Sequence, residues 1–196
     1  MKKIGIFGGA FNPPHIAHAI IADDVREQFR LDKVLFIPSG VPPLKESEAV
    51  TAKHRLNMSK LAFGNDKHFE VNDIEIKNTP VKSFTVDTLV SLKEIYQKEE
   101  IRFYLIIGTD NLIDFPKWKN PEKLFSLSEV IVINRPSFNL EDAMPEFLNK
   151  VIIAKVPLLE ISSSMIRNYV RASKSIKYLV HPDVGNYIRE NKLYLS

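Results

Sequence analysis

Two histidines, His15 and His18, stand three positions apart near the start of the chain, just after a pair of glycines and a pair of prolines. Gly8 and Gly9 end a short apolar run, and a residue without a Cβ lets a ligand approach the main chain. From residue 16 onward the apolar positions take helical spacing, which places the histidines at a helix N-terminus. Free N–H groups and the positive end of a helix dipole favour an anion. The segment therefore predicts a site for nucleotide phosphates, with the imidazoles as further hydrogen-bond donors.

The same two histidines could instead bind a metal ion, because residues three apart share a helix face. A zinc site needs a third ligand and supporting carboxylates. The chain has no cysteine, and its other histidines show no ligand spacing. The dinucleotide fingerprint Gly-x-Gly-x-x-Gly and the P-loop Gly-Lys-Ser/Thr are also missing from this segment. We expect phosphate binding here and no metal ion held by protein ligands.

A second candidate site is the serine cluster Ser162, Ser163 and Ser164, which precedes another helical pattern. Such a cluster is most often a helix N-cap, and from the residues alone that interpretation is favoured. Arg167 follows Ser163 and Ser164 by three or four positions, so it lies above them in the first turn. Hydroxyls, free N–H groups and a guanidinium would then converge, which suits a polyphosphate.

Apolar runs alternate with helical patterns along the chain. Strands are predicted at 3–7, 33–37, 69–76, 102–107, 130–133 and 151–154. Helices are predicted near 17–30, 52–63, 84–98, 121–126, 140–149, 163–172 and 182–191. This pattern predicts an α/β fold, with a parallel sheet and helices on both faces. Ligands bind beyond the carboxyl ends of such strands. The segments expected to form that rim are 8–18, 38–45, 108–118 and 134–136.

Composition limits the classes of partner. The length of 196 residues suits one domain, and the net charge of +3 comes from 27 basic and 24 acidic residues that are interspersed. Without basic clusters that include aromatics, nucleic acid is not an expected partner. No segment reaches the ~18 uninterrupted apolar residues of a membrane helix, so no membrane partner is expected either. The lack of cysteine makes a reducing, cytoplasmic setting the default. The oligomeric state, a homodimer included, stays open.

The glycine and histidine segment resembles the signature of the nucleotidylyltransferase superfamily, Gly-Gly-x-Phe-Asp-Pro-x-His-x-Gly-His. In this chain Asn12 stands at the aspartate position and Ala17 at the last glycine. Residues 161–167 are similar to a second superfamily motif, Ile-Ser-Ser-Thr-x-Ile-Arg, with Ser164 at the threonine position. The resemblance implies a Rossmann-like parallel sheet of the nucleotidylyltransferase type, as a single domain over residues 1–196.

Four further segments resemble the bacterial nicotinate mononucleotide adenylyltransferases. Residues 42–45 and Arg55 are similar to that family's Pro-Pro-His-Lys…Arg segment, with Leu44 at the histidine position. Residues 83–89 resemble its Ser-Tyr-Thr-x-Asp-Thr-Leu helix start. Residues 108–118 resemble its Gly-x-Asp…Trp segment, and residues 134–136 its Arg-Pro. The resemblance covers essentially the whole chain.

The family resemblance implies a reaction and its residues. ATP and nicotinate mononucleotide would give deamido-NAD and pyrophosphate, with Mg²⁺ carried on the ATP. The catalytic residues implied are His15, His18 and Arg167. The ATP-binding residues implied are Gly8, Gly9, Phe11, His15, His18, Gly108, Asp110, Ile161, Ser162, Ser163, Ser164 and Arg167. The residues implied for nicotinate mononucleotide are Ala10, Asn12, Lys45, Arg55, Phe84, Thr85, Trp118 and Arg135.

Other interpretations remain open at this point. Trp118, the single tryptophan, could have no role beyond packing against the protein, and Thr85 could be a plain helix cap. The acceptor could be nicotinamide mononucleotide, or phosphopantetheine as in other adenylyltransferases of the superfamily. A catalytically silent nucleotide-binding protein is the alternative from another class, and a pyrophosphate-release assay would separate it from an enzyme.

Overall fold

The computed structural model describes residues 1–41, 50–77, 82–136 and 138–195. Its centre is a six-stranded sheet in the order β3-β2-β1-β4-β5-β6. The strands are β1 (Lys2–Gly9), β2 (Lys33–Pro38), β3 (Phe69–Val71), β4 (Ile101–Gly108), β5 (Glu129–Ile133) and β6 (Ile152–Ala154). All neighbouring strands are parallel. The predicted α/β fold is confirmed, and the carboxyl ends of β1 and β4 lie side by side.

Helices surround this sheet. They are α1 (Ile16–Phe29), α2 (Ala52–Phe63), α3 (Ile74–Lys77), α4 (Thr85–Ile95), α5 (Thr109–Ile113), α6 (Pro121–Leu127), α7 (Pro145–Leu148), α8 (Ser163–Arg171) and α9 (Pro182–Glu190). Two 3₁₀ turns, Phe115–Lys117 and Leu140–Asp142, complete the described elements. None of the helices in the described ranges has the length and apolar character needed to cross a membrane.

Two predicted elements were wrong in their extent. The strand predicted at 69–76 ends at Val71, because the side chain of Asn72 accepts a hydrogen bond from the N–H of Ile74 at 3.0 Å and starts α3. The helix predicted at 140–149 is instead a 3₁₀ turn followed by α7. Pro145 disfavours helical backbone in the residue before it, and Met144 is extended with a ψ of 129°.

Two apolar clusters pack on the two faces of the sheet. Alternate strand residues supply them, because successive side chains of a strand point to opposite faces. Ile6 and Leu105 pack with α4 and α6 on one face, and Phe7 and Ile106 pack with α1 on the other. A third cluster joins α2, α8, α9 and the segment after α9. This third cluster places α8 near the carboxyl ends of the strands, where the predicted site lies.

Candidate nucleotide-binding site

A cavity of about 1200 Å³ lies at the carboxyl ends of the central strands. The segments after β1, β4 and β5 line it, together with the N-terminal turns of α4 and α8. The segments predicted to form the rim therefore all contribute described residues to this cavity. Ser39 is the residue of segment 38–45 that lines it, whereas Lys45 and the rest of 42–49 lie outside the described residues.

The loop after β1 brings main chain to the cavity surface. A Cβ added at Gly8 would meet no atom within 4 Å, so this position opens directly onto the cavity. Phe11 adopts a left-handed φ of 47° and buries its ring among Phe7, Phe36 and Phe63, with centroid distances of 5.7 to 6.1 Å. The aromatic packing holds the loop in a conformation that residues with a side chain seldom adopt.

His15 is the N-cap of α1, and His18 lies in the first turn. The main-chain N–H of His15 donates to Nδ1 of His18 at 3.1 Å, and the two imidazole rings stack with centroids 3.6 Å apart. Because Nδ1 of His18 accepts this bond, the proton of a neutral His18 ring must be on Nε2. Nδ1 of His15 is buried and has no hydrogen-bond partner among the described residues.

Both histidines are neutral near pH 7 when no anion is bound. Burial lowers the pKa of His15 from 6.5 to about 4, and the nearby positive charge of Arg135 adds to the shift. Burial lowers the pKa of His18 well below 6.5, with smaller effects from His15 and Arg135. A phosphate placed beside the rings would oppose these shifts, since a negative charge favours protonated imidazole.

The N-terminal turn of α8 meets the loop after β1. Ser162 is the N-cap, and its hydroxyl accepts from the N–H of Met165 at 3.1 Å, as the cap interpretation predicted. The hydroxyl of Ser163 donates to the carbonyl of Pro13 at 2.8 Å, across 150 residues of sequence. Ser164 and Ile161 also line the cavity.

Arg167 joins the two sequence motifs. Its Nη1 donates to the main-chain oxygen of Asn12 at 2.7 Å, and its Nη2 donates to Oγ of Ser164 at 3.0 Å. Arg167 therefore lies above Ser164 within α8, as predicted. Arg167 also lines the cavity, beside the loop after β1.

The opposite side of the cavity is built from α4 and the 3₁₀ turn after α5. Thr85 is the first residue of α4, and it lines the cavity together with Phe84. The half-buried ring of Trp118 lies 4.9 Å from that of Phe115 and also lines the cavity. Trp118 thus both packs on the protein and offers surface to a ligand.

Gly108, Asp110 and Arg135 line the cavity at the carboxyl ends of β4 and β5. Nε of Arg135 lies 3.3 Å from Oδ1 of Asp110. The pair is partly exposed, so its contribution to stability is small. A Cβ added at Gly108 would crowd the side chains of both Asp110 and Arg135, so a larger residue here would require this pair to move.

Among the predicted site residues that the structure describes, Arg55 alone does not line the cavity. It is only 2% exposed, and its guanidinium donates to the carbonyl oxygens of Ala10 at 2.9 Å and Gly40 at 2.8 Å. Arg55 therefore supports two loops of the rim from behind. Ala10 itself lines the cavity.

Comparison with known proteins decides the family. Residues 6–169 match the cytidylyltransferase-like family. The chain is 39% identical to the nicotinate-nucleotide adenylyltransferase of Bacillus subtilis strain 168, over all of both chains. It is 37% identical to a probable nicotinate-nucleotide adenylyltransferase of Oceanobacillus iheyensis, over 99% of this chain and 97% of that one. The chain belongs to the nicotinate-nucleotide adenylyltransferase family.

A solved structure of similar shape agrees with this assignment. The nicotinic acid mononucleotide adenylyltransferase of Plasmodium falciparum, complexed with NaAD, superposes with a TM-score of 0.80 at 25% identity. The match covers 99% of this chain and 98% of that chain. The family resemblance predicted from the motifs is confirmed.

Glu75 and Tyr194 are polar residues that line the cavity and were not among the predicted site residues. Glu75 accepts a hydrogen bond from the hydroxyl of Thr88 at 2.8 Å, and burial raises the pKa of its carboxyl group. The hydroxyl of Tyr194 donates to Oδ1 of Asn12 at 2.6 Å. The prediction of a strand through residue 76 concealed Glu75. No spacing pattern marked Tyr194, because only the tertiary fold brings it to the loop.

Proposed function

We propose that this chain transfers the adenylyl group of ATP to nicotinate mononucleotide, which gives deamido-NAD (nicotinate adenine dinucleotide) and pyrophosphate for NAD biosynthesis. The observation that carries the proposal is a single cavity with two different sides. One side has hydrogen-bond donors suited to a polyphosphate. The other has an aromatic ring and a helix N-terminus suited to a planar ring that bears a carboxylate.

ATP occupies the side formed by the loop after β1 and by α8. Gly8 and Gly9 allow its phosphates to approach the main chain. His15 and His18 contact the α-phosphate, with Nε2–H of His18 as a donor. Arg167 and the N-terminal turn of α8 hold the β- and γ-phosphates that leave as pyrophosphate. The other ATP contacts proposed are Phe11, Gly108, Asp110, Ile161, Ser162, Ser163 and Ser164.

Nicotinate mononucleotide occupies the side formed by α4 and Trp118. The hydroxyl and N–H of Thr85, at the start of α4, bind the carboxylate, and Trp118 stacks on the pyridinium ring. Lys45, which lies outside the described residues, holds the phosphate of the mononucleotide. Ala10, Asn12, Phe84 and Arg135 complete this side. Arg55 acts indirectly, through the carbonyl of Ala10.

The reaction is an in-line displacement at phosphorus. A 5′-phosphate oxygen of the mononucleotide forms a bond to the α-phosphorus of ATP. The bond from that phosphorus to the bridging oxygen breaks, and pyrophosphate leaves with the electron pair. The attacking phosphate is largely dianionic near pH 7, since its second pKa is about 6, so no general base is needed. The protein aligns the two anions and neutralises the charge that develops between them.

Mg²⁺ enters with ATP as part of the substrate. The described residues contain no group of three or more His, Cys, Asp or Glu side chains placed to hold a metal ion. Mg²⁺ commonly keeps several waters and binds substrate phosphates. We assign it to the triphosphate in this way. A cytoplasmic location is a further expectation of the proposal. The oligomeric state stays open, and light scattering would distinguish a monomer from a homodimer.

Magnesium-dependent release of pyrophosphate from ATP tests the proposal. Nicotinate mononucleotide, nicotinamide mononucleotide and phosphopantetheine are compared as acceptors in parallel. We expect strong preference for nicotinate mononucleotide. Faster turnover of another acceptor would overturn the assignment of the acceptor side. No release with any of the three would favour a catalytically silent nucleotide-binding protein.

A further inference from the structure

Tyr194 reaches the phosphate-binding loop from the far end of the described chain. Its hydroxyl donates to Oδ1 of Asn12 at 2.6 Å, and the two residues are only 6% and 7% exposed. Both residues line the cavity. Asn12 stands three positions before His15, so the contact bears directly on the loop that carries the histidines.

Asn12 is held at two points. Its main-chain oxygen accepts from Arg167 at 2.7 Å, and its side-chain oxygen accepts from Tyr194. The side-chain nitrogen of Asn12 makes no hydrogen bond to another described residue.

The surroundings of Tyr194 fix the position of its hydroxyl. The residue has a left-handed φ of 65°, which costs energy for a residue with a side chain and persists only where packing enforces it. Leu193 and Tyr194 are buried in the third apolar cluster with Met58, whose sulfur lies 3.9 Å from the Tyr194 hydroxyl. The segment is tied to α9 by a 3.0 Å bond from the N–H of Leu193 to the carbonyl of Ile188.

We propose that Tyr194 is a positioning residue for adenylyl transfer: its hydroxyl holds Asn12, and through it the loop that places His15 and His18 against the α-phosphate. The proposal rests on the proposed function. Small displacements of aligned reacting groups lower turnover steeply. A loss of this contact should therefore reduce kcat more than it changes KM for ATP.

Tyr194→Phe tests the proposal, because it removes only the hydroxyl. Tyr187→Phe is the matched control. The Tyr187 hydroxyl lies 2.9 Å from Nδ1 of His54 and 3.0 Å from Nδ2 of Asn57, and Tyr187 does not line the cavity. We expect Tyr194→Phe to lower kcat roughly tenfold, with KM for ATP changed by less than about threefold. Tyr187→Phe should leave kcat within about twofold of the wild type.

Two results would overturn the proposal. One is a kcat for Tyr194→Phe within about twofold of the wild type. The other is an equal decrease of kcat in Tyr194→Phe and Tyr187→Phe, accompanied by an equal loss of folded protein in thermal unfolding. A double-mutant cycle adds a further condition. In a protein that already carries Asn12→Ala, adding Tyr194→Phe should lower kcat little further. Decreases of kcat that multiply independently would contradict the assignment.

A readout without turnover separates this proposal from the proposed function. The imidazole NMR signals of His15 and His18 should shift in Tyr194→Phe and stay in place in Tyr187→Phe, where those of His54 should shift instead. Unchanged His15 and His18 signals in Tyr194→Phe would reject the positioning role even if the wild type is fully active. Shifted signals in a protein that releases no pyrophosphate would reject the proposed function and keep the contact between Tyr194 and the loop.

Discussion

The imidazole rings of His15 and His18 are stacked with centroids 3.6 Å apart, and the main-chain N–H of His15 donates to Nδ1 of His18 at 3.1 Å. The stack joins the two side chains, and the hydrogen bond ties the His18 ring to the main chain at the N-terminus of α1. Burial and the charge of Arg135 keep both rings neutral by lowering their pKa values. The pair can therefore donate through Nε2 of His18 without carrying a permanent positive charge.

His18→Ala should abolish most of the turnover. Removal of a donor that acts on the charge developing at phosphorus costs about 100-fold or more in kcat. KM for ATP should change much less, since the triphosphate keeps its contacts with α8. Pyrophosphate release measures both constants.

His54→Ala is the matched control for this prediction. His54 lies in α2 outside the cavity, where it contacts the hydroxyl of Tyr187. Its removal should leave turnover near that of the wild type. A His18→Ala protein that works within a few-fold of the wild type would remove His18 from the catalytic residues.

The depressed pKa of His15 predicts a specific dependence of stability on pH. The unfolded chain binds a proton near pH 6.5 and the folded chain only near pH 4, so the folded state is disfavoured as pH falls between these values. His15 should stabilise the fold above pH 6.5, and about 3 kcal/mol of that contribution should be lost by pH 4. Urea unfolding across this range measures it.

His15→Gln supplies the comparison, because glutamine does not titrate. The free energy of unfolding of the wild type should fall more steeply with acidification than that of His15→Gln. The difference should be confined to the range below pH 6.5. Parallel curves for the two proteins would show that His15 titrates normally in the folded state.

Gly8→Ala should block ATP without disturbing the fold. A Cβ at Gly8 has no protein neighbour within 4 Å, and it would project into the cavity where the phosphates are proposed to lie. We expect unchanged thermal unfolding and an affinity for ATP reduced by about tenfold or more. Calorimetric titration with a non-hydrolysable ATP analogue measures the affinity.

Gly185→Ala controls for the loss of a glycine. Gly185 lies in α9, and its added Cβ would be 3.7 Å from Val180, an ordinary contact. Replacing glycine by alanine inside a helix stabilises it by about 1 kcal/mol. Gly185→Ala should therefore unfold at the same temperature as the wild type or higher, and bind the analogue normally. Equal binding by Gly8→Ala and the wild type would place the phosphates elsewhere.

The parts of the site that sequence reasoning could predict are those with local causes. The glycine pair before α1 and the serine cap of α8 follow from spacing and from the chemistry of helix ends, and both lie where expected. Long-range contacts have no such local cause. The burial of Arg55 behind the loop and the bond from Tyr194 to Asn12 depend on the third apolar cluster, which unites segments far apart in sequence.

The element boundaries that were wrong also have physical reasons. A polar side chain can end a strand by capping the next turn, as Asn72 does after β3. The apolar positions after residue 140 have helical spacing, yet the proline at 145 lets a helix begin there and not continue through it. The spacing of apolar residues does not reveal where a polar side chain caps a turn or where a proline starts a new helix.

Trp118, the only tryptophan of the chain, gives a direct optical test of the acceptor side. If its ring stacks on the pyridinium of nicotinate mononucleotide, that ligand should quench the intrinsic fluorescence, whereas the ATP analogue alone should leave it nearly unchanged.

Trp118→Ala should raise KM for the mononucleotide by about tenfold, since stacking of a base on an aromatic ring contributes about 1–3 kcal/mol. Trp118→Phe should raise it less, and Tyr178→Ala, which removes an exposed ring outside the cavity, should not raise it. Normal turnover with fluorescence unaffected by saturating mononucleotide would show that Trp118 only packs against Phe115.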